Sequence, residues 1–487
     1  MAQSSIKKNA VMNMLLTAAN FVFPLITFPY VSRALLPEGT GRVQFAASFV
    51  AYFGMLARLG IPTYGLRECA RIRDDRQKLT KTAQELLLIN LIMGLIAYAG
   101  LFVCLFTVPR LKNDKLLFVV SALPILLDAL GMEWLYKALE QYPYITVRSF
   151  CFKLVALAGT FMFIHAREDY LIYGVITIFA SSASNILNFV HARKFISLKP
   201  TGSYRLSAHM KGILVFFAMS CAMTVYYNFD AVMLGFIKGD SEVGYYNAAV
   251  KIKNILINIV TSVSAVLLPR SSYYIEHGQR DEFSRITKKA LHLVMLASLP
   301  MAAYFMLFAR EGILFLSGPA YGGVVLPMQI IMPTLIIAGM SNITGTQMMV
   351  PLGKDRQLLF SVCAGAATDL ALNALLIPRF ASAGAAAGTL AAEIVVLAVQ
   401  YFTLKGELSG ALKQFAYGKV ALALTAALAC SAWVKLLHAG HFVTLVISGV
   451  CFFGAYIALL LITKESVVTE AFRAVQARIR RFRRKGT

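Results

Sequence analysis

Charge is scarce in this chain, and acidic charge is scarcest. Of its 487 residues only 15% are charged, and 24 Asp and Glu stand against 47 Lys and Arg. Long polar segments are missing: the longest loops, near 193–210 and 269–285, leave no room for a catalytic domain outside the apolar stretches. The seven cysteines show no CxxC or metal spacing. Cys104, Cys151, Cys221, Cys363, Cys430 and Cys451 lie in apolar stretches and Cys69 beside one, so neither disulfides nor zinc is expected. A Walker A loop is absent, which argues against the chain being its own ATPase. The histidines are scattered, and no Ser/His/Asp arrangement stands out. The first apolar run is too long for a signal-peptide core and lacks a processing site, so it is expected to remain as a helix.

Apolar residues are what the chain has in excess. They make up 58% of it, and the mean hydropathy is +0.67. Stretches of roughly 20 apolar residues, long enough to cross a bilayer as helices, recur about fourteen times. They cover 10–34, 43–65, 83–107, 117–138, 144–165, 170–192, 211–236, 243–268, 286–309, 324–349, 359–377, 383–404, 417–437 and 441–463. The runs are too long for barrel strands and do not alternate with period two. The expectation is an all-α polytopic membrane protein.

A net charge of +23 would suggest nucleic acid in a soluble protein. Here it reads as topology. Lys and Arg concentrate on the side holding Lys7, Lys8, the 66–82 loop and the C-terminal tail, which places both termini in the cytoplasm. The tail itself, 464–487, carries Arg473, Arg478, Arg480, Arg481, Arg483, Arg484 and Lys485 and suits anchorage on anionic membrane lipids.

A weak repeat joins the halves of the chain. Gly41-Arg42-Val43-Gln44-Phe45-Ala46 aligns with Gly244-Tyr245-Tyr246-Asn247-Ala248-Ala249, each just after a short acidic turn (Glu38; Asp240 and Glu242). The offset is an even number of helices, so two parallel halves are expected, with chance similarity as the alternative.

Polar groups inside the apolar stretches are the candidate functional residues, because lipid does not tolerate them. Asn247, Lys251, Asn254, Asn258 and Ser262 form a stripe on 243–268. Arg58 shares a small, polar face with Ala47, Ser48, Ala51 and Gly54; it either lines a cavity or snorkels toward the helix end. Asp128 and Lys153 reach similar depths on either side of a turn near 141 and are expected to pair. Asn13, Thr17, Asn20 and Thr27 share a stripe with Pro24, which, with Pro29, should bend the first helix. Tyr226, Tyr227 and Asp230 suit either sugar stacking or an interfacial aromatic belt. Asp128, Asp230, Asp369 and Glu393 are candidate ion-coupling or buried-pair carboxylates, and Asn373 follows Asp369 by one turn. Gly384-Ala385-Ala386-Ala387-Gly388 reads as a helix-packing surface.

These residues resemble a family. Leu35-Leu36-Pro37-Glu38-Gly39-Thr40-Gly41, Leu59-Gly60-Ile61-Pro62-Thr63-Tyr64-Gly65-Leu66-Arg67-Glu68, Glu133-Trp134-Leu135-Tyr136-Lys137, Asp230-Ala231-Val232-Met233-Leu234-Gly235, Val243-Gly244-Tyr245-Tyr246-Asn247-Ala248-Ala249 and Asn373-Ala374-Leu375-Leu376-Ile377-Pro378-Arg379 with Gly384-Ala385-Ala386 are similar to segments of Wzx-type O-antigen flippases. These belong to the multidrug/oligosaccharidyl-lipid/polysaccharide exporter superfamily. The likeness spans about 1–405.

The resemblance implies two six-helix lobes around a cavity, at 1–205 and 206–410, two further helices at 411–463, and a basic tail at 464–487. It implies flipping of undecaprenyl-pyrophosphate-linked oligosaccharide repeat units, with a polysaccharide polymerase and a chain-length regulator as partners. It implies no cofactor beyond a coupling ion, H⁺ or Na⁺. The related lipid II flippase has a cationic cavity with arginines in helices 2 and 8. Arg58 fits the first by helix and depth; helix 8 here offers Lys251 and Lys253, which lack the bidentate fork of Arg. Arg58, Lys251 and Lys153 would then hold the pyrophosphate, while Asn247, Asn254, Asn258, Tyr226 and Tyr227 face sugars. No metal site and no catalytic residue is expected. Rival readings are a drug/cation antiporter of the same fold, whose cavity should be acidic, and a membrane-embedded polymerase or glycosyltransferase, which would need a longer extracytoplasmic loop.

Overall fold

The computed structural model describes residues 6–470 apart from 201, 203, 263–266 and 438–439, together with 472 and 473. Most of the basic tail therefore lies outside the described residues. Among the described residues every regular element is helical. The chain forms two compact units, residues 1–247 and 248–487.

The first unit opens with α1 (Ile6–Arg58). As one straight rod it would be about 80 Å long, more than twice the hydrocarbon core, so it must be two crossings. The break is at Leu36, with φ 57° and ψ 179°. Leu36 precedes Pro37, whose ring disfavours helical geometry in the residue before it. Leu59 (φ 44°) and Gly60 (φ 76°) stop the second arm and start α2 (Ile61–Arg71). The expected helix 43–65 is thus split, with Arg58 just before the break.

The unit continues with α3 (Arg76–Thr107), α4 (Lys115–Gly131), the short α5 (Glu133–Ala138), α6 (Tyr142–Phe163), α7 (Tyr170–Ile178) and α8 (Asn185–Ala192). Left-handed Met132 separates α4 from α5. A wide helical turn, Phe179–Ala183, joins α7 to α8. α9 (Leu206–Ile237) turns at Gly239 (φ 90°) into α10 (Asp240–Thr261). α1 packs along α3, α4, α6 and α9. Its interior includes Leu59, Ile61, Leu79, Trp134 and Leu135, all buried.

The repeat seen in the sequence has a spatial counterpart. A Cβ added to Gly41 would fall 1.8 Å from the Asp240 carbonyl oxygen, and one added to Gly244 would fall 2.1 Å from that of Pro37. The offset carrying Gly41 to Gly244 also carries Pro37 to Asp240. The contact is therefore reciprocal, the signature of a local two-fold relation.

The second unit comprises α11 (Leu268–Glu276), α12 (Arg280–Leu307), α13 (Ala309–Ser317), α14 (Val325–Ile331), α15 (Thr334–Asn342), α16 (Asp355–Thr403), α17 (Lys405–Lys413), α18 (Tyr417–Ala432) and α19 (His441–Ile462). α16 is again two arms, broken at Ala381 with φ 50° and ψ −128°. α18 and α19 pack together, and Tyr304, Phe308, Phe452 and Tyr456 build the core beside them.

Among the described residues nine helices are long and apolar enough to cross a membrane, ten with the pair Pro319–Ile331 and Thr334–Met349, bent by 49°. Counting both arms of α1 and α16, and adding short α4 and polar α10, the helices are consistent with fourteen crossings. The expected helix 243–268 is shorter than its apolar run: α10 ends at Thr261, and 263–266 lie outside the described residues.

Candidate functional site

The second arm of α1, α4 and α7 enclose a cavity of about 250 Å³ within the first unit. Val43, Ala47, Val50, Ala51 and Gly54 line one wall, and Ser121, Pro124, Ile125, Thr177, Ile178 and Ser181 line the others. Arg58 and Asp128 are its charged groups. Small side chains one helical turn apart on α1 leave the space, and Arg58 follows on the same face.

Arg58 Nη1 lies 3.5 Å from Asp128 Oδ2. Its Nε donates to the Gly54 carbonyl at 3.2 Å, and a Cβ on Gly54 would sit 3.3 Å from Nη2, so the glycine makes room for the guanidinium. The Arg58 side chain stays 46% exposed and lines the cavity. On its other side Asp128 accepts from Asn185 Nδ2 at 2.9 Å. Separating Asp128 from Arg58 would therefore leave the carboxylate with the Asn185 amide as its donor.

The expected pairing of Asp128 with Lys153 is corrected here. Asp128 pairs with Arg58, and Lys153 Nζ instead donates to Asn20 Oδ1 on the first arm of α1. The depth argument assumed two unbroken helices around residue 141. The turn itself falls at left-handed Glu140, where it was expected, but left-handed Met132 breaks the arm that carries Asp128, so residue count no longer measures depth or facing.

The polar stripe of α10 occupies its less buried side. Asn247, Lys251 and Asn258 are half-buried and Asn254 and Ser262 exposed, whereas Ala248, Ala249, Ile252, Leu256 and Val260 opposite are buried. Lys253, by contrast, is buried. On α9, Tyr226 and Tyr227 meet edge to face at 5.5 Å, with Tyr227 exposed. Asp230 is buried and accepts from the Tyr246 hydroxyl.

In the second unit the two arms of α16 close around a polar seam. Asp369, Asn373, Thr389 and Glu393 are all buried. A Cβ on Gly388 would lie 2.3 Å from Asn373 Oδ1 and 3.1 Å from Asp369 Oδ1, so the glycine admits both side chains. Gly384 likewise packs against the Leu376 carbonyl at 2.5 Å from a built Cβ, as a helix-packing surface requires. Among the described residues no group of three or more His, Cys, Asp or Glu converges as a metal site would.

Several functional-looking groups escaped the sequence reading. Arg148 is buried and donates to the Ser184 carbonyl at 3.2 Å, where the wide turn leaves the helical ladder irregular. It lies inside the apolar stretch 144–165, and that position was the available signal. Glu85 and His209 are buried together, Oε2 to Nε2 at 2.8 Å, with the Tyr64 hydroxyl 2.9 Å from His209 Nδ1. These three come from distant segments, and no spacing announces them. Arg42 and Arg110 flank Asp240; Arg42 lies inside the repeat itself, which was the one available signal.

This architecture recurs in solved structures. The chain is similar to a lipid II flippase MurJ in an inward closed conformation, with TM-score 0.73 and 14% identity over 93% of this chain and all of that one. It is also similar to a multidrug resistance MATE family transporter in an inward-facing conformation, with TM-score 0.61 and 13% identity over 80% of this chain and 95% of that one. At those identities the likeness concerns the fold. By sequence, two proteins named "Putative O-antigen transporter" are similar. That of Escherichia coli strain K12 is 26% identical over 80% of this chain and 95% of its own length. That of Shigella dysenteriae is 24% identical over 80% and 98%. The MatE family model matches residues 216–354. The model for polysaccharide biosynthesis proteins matches residues 6–275, more than half of the chain. This multi-pass membrane protein thus belongs to the polysaccharide biosynthesis protein family.

Proposed function

We propose that the protein flips undecaprenyl-pyrophosphate-linked oligosaccharide repeat units across the bacterial inner membrane for surface polysaccharide assembly. The observation that carries the reading is Arg58, a half-exposed arginine side chain lining a cavity among apolar helices. A phosphate cannot enter hydrocarbon unless protein replaces its water, whereas a prenyl chain can stay in lipid. Arg58 offers charge-assisted donors in a fork that matches phosphate oxygens. The cavity, about 250 Å³, is below the roughly 300–1,000 Å³ of a whole ligand pocket, so it suits a phosphate group rather than a sugar chain. Lys251 and Lys153 supply further positive charge, and Asn247, Asn254, Asn258, Tyr226 and Tyr227 face the sugars. The cycle is alternating access, with both termini in the cytoplasm. Asp128, Asp230, Asp369 and Glu393 are the groups for coupling to H⁺ or Na⁺. A polymerase and a chain-length regulator take the product. The names of the Escherichia coli and Shigella relatives support the substrate class.

The test is complementation of a strain lacking its own flippase. Wild type restores surface polysaccharide, and Arg58→Ala and Lys251→Ala do not. Equal restoration by all three rejects the cationic site. The MatE match over 216–354 favours a second reading, a drug/cation antiporter. Drug resistance conferred without polysaccharide would select it.

A further inference from the structure

The crossing of α1 and α10 is made of backbone against glycine. Gly41 meets Asp240 and Gly244 meets Pro37, with no side chain between the paired positions. Such a contact interlocks nothing, so other groups must hold the α9–α10 turn down. Ionic side chains surround it. Asp240 receives Arg110 Nη2 at 2.5 Å and Arg42 Nε at 3.7 Å. Arg110 also donates from Nε to the Gly235 carbonyl at 3.2 Å, gripping both sides of the turn. Arg42 reaches Glu38 at 2.7 Å and Asp114 at 3.7 Å, and its guanidinium lies 5.0 Å over the Tyr170 ring. The Tyr170 hydroxyl donates to Asp114 at 2.9 Å.

Two features separate this cluster from an ordinary surface ion pair. The Asp240 side chain is only 10% exposed, and that of Asp114 13%, so water cannot fully replace the arginines. The arginines also come from different elements: Arg42 from α1 and Arg110 from the turn Pro109–Asp114. Lifting the α9–α10 turn from α1 must break both bonds in one event. α10 runs unbroken from Asp240 to Thr261, so the same event frees the start of the helix that carries Lys251.

We propose that Arg42, Asp240 and Arg110 form an ionic clasp that holds the α9–α10 turn on the bend of α1, and that releasing it is a step of the transport cycle. The consequence for transport rests on the flippase reading. The clasp itself does not, and it is tested without substrate.

The probe is Val243→Cys in a chain whose seven native cysteines are replaced by serine. Val243 is fully buried beside the crossing, so a maleimide reaches it only when the turn lifts. In purified protein, Asp240→Asn should raise the labelling rate roughly tenfold, the population shift expected from losing charge-assisted bonds. Asp240→Glu, which keeps the carboxylate, should return the rate toward that of the parent. Arg110→Gln should raise it as Asp240→Asn does and serves if the latter fails to accumulate. Equal labelling of the parent, Asp240→Asn and Arg110→Gln would overturn the clasp, as would a rise in Asp240→Glu matching that of Asp240→Asn. Either outcome leaves the polysaccharide complementation result intact, and failure of complementation leaves the labelling result intact.

Discussion

Gly41 and Gly244, from the two copies of a short repeat, pack so closely that a Cβ on Gly41 would sit 2.9 Å from the Gly244 nitrogen. Because the contact is reciprocal, alanine at either position should do similar damage. Each of Gly41→Ala and Gly244→Ala is expected to cost about 1–3 kcal/mol, the range for forced overpacking. Gly454→Ala is the control: nothing lies within 4 Å of its added Cβ, and helix propensity favours alanine there. Melting temperatures in detergent should fall for the first two and hold or rise for the third.

Arg58 should be replaceable by lysine only in part. Lysine keeps the charge but loses the fork, and the bond to the Gly54 carbonyl uses Nε of the guanidinium. Polysaccharide export is expected to rank wild type, then Arg58→Lys, then Arg58→Ala, with the last down roughly tenfold or more, as when a charged hydrogen bond is lost. Stability should change little, because this pair is partly solvated. Export rates set beside melting temperatures check both statements.

Glu85 and His209 should matter for stability more than for transport. Glu85 accepts from the Arg205 amide at 2.8 Å as well as bonding His209, and both side chains are buried. Glu85→Ala leaves an amide and an imidazole without that acceptor, at a cost of about 2–3 kcal/mol. Glu85→Gln, which keeps an acceptor, should recover part of the loss. Thermal unfolding of the two variants decides the point.

Asp75 caps α3 by accepting from the amides of Gln77 and Lys78 at 3.1 and 3.0 Å. The Lys78 amide and side chain, with help from Gln77, hold its carboxyl below the ordinary aspartate range. A lowered folded-state pKa gives stability that is present above the unfolded value and is lost as pH falls through the folded one. Hydrogen exchange in the first turn of α3 should therefore be faster in Asp75→Ala than in wild type at neutral pH. The difference should vanish in acid, below the usual aspartate range. A difference that persisted there would show that the cap does not depend on the carboxylate charge.

The helices were readable in the sequence because the bilayer dictates both their length and their composition. The turns at Leu36 and Ala381 fall in the gaps between the expected stretches 10–34 and 43–65, and 359–377 and 383–404. Arg58 and the small residues around it could be placed on one face by helical period alone. The break inside 117–138 could not be read: Met132 adopts left-handed geometry that its residue type does not announce.

The sequence by itself determined the class of this protein, its apolar helices and the places where charge enters them, because burial in lipid punishes every exception locally. It could not choose partners for those charges. Asp128 was free to meet Lys153 or Arg58 on sequence grounds, and only the packed helices settled it on Arg58, since a pairing depends on how each helix is rotated and bent. The Arg42–Asp240–Arg110 cluster is of the same kind. Its three members lie far apart along the chain, and it took the close approach of Gly41 to Asp240 to bring them within reach.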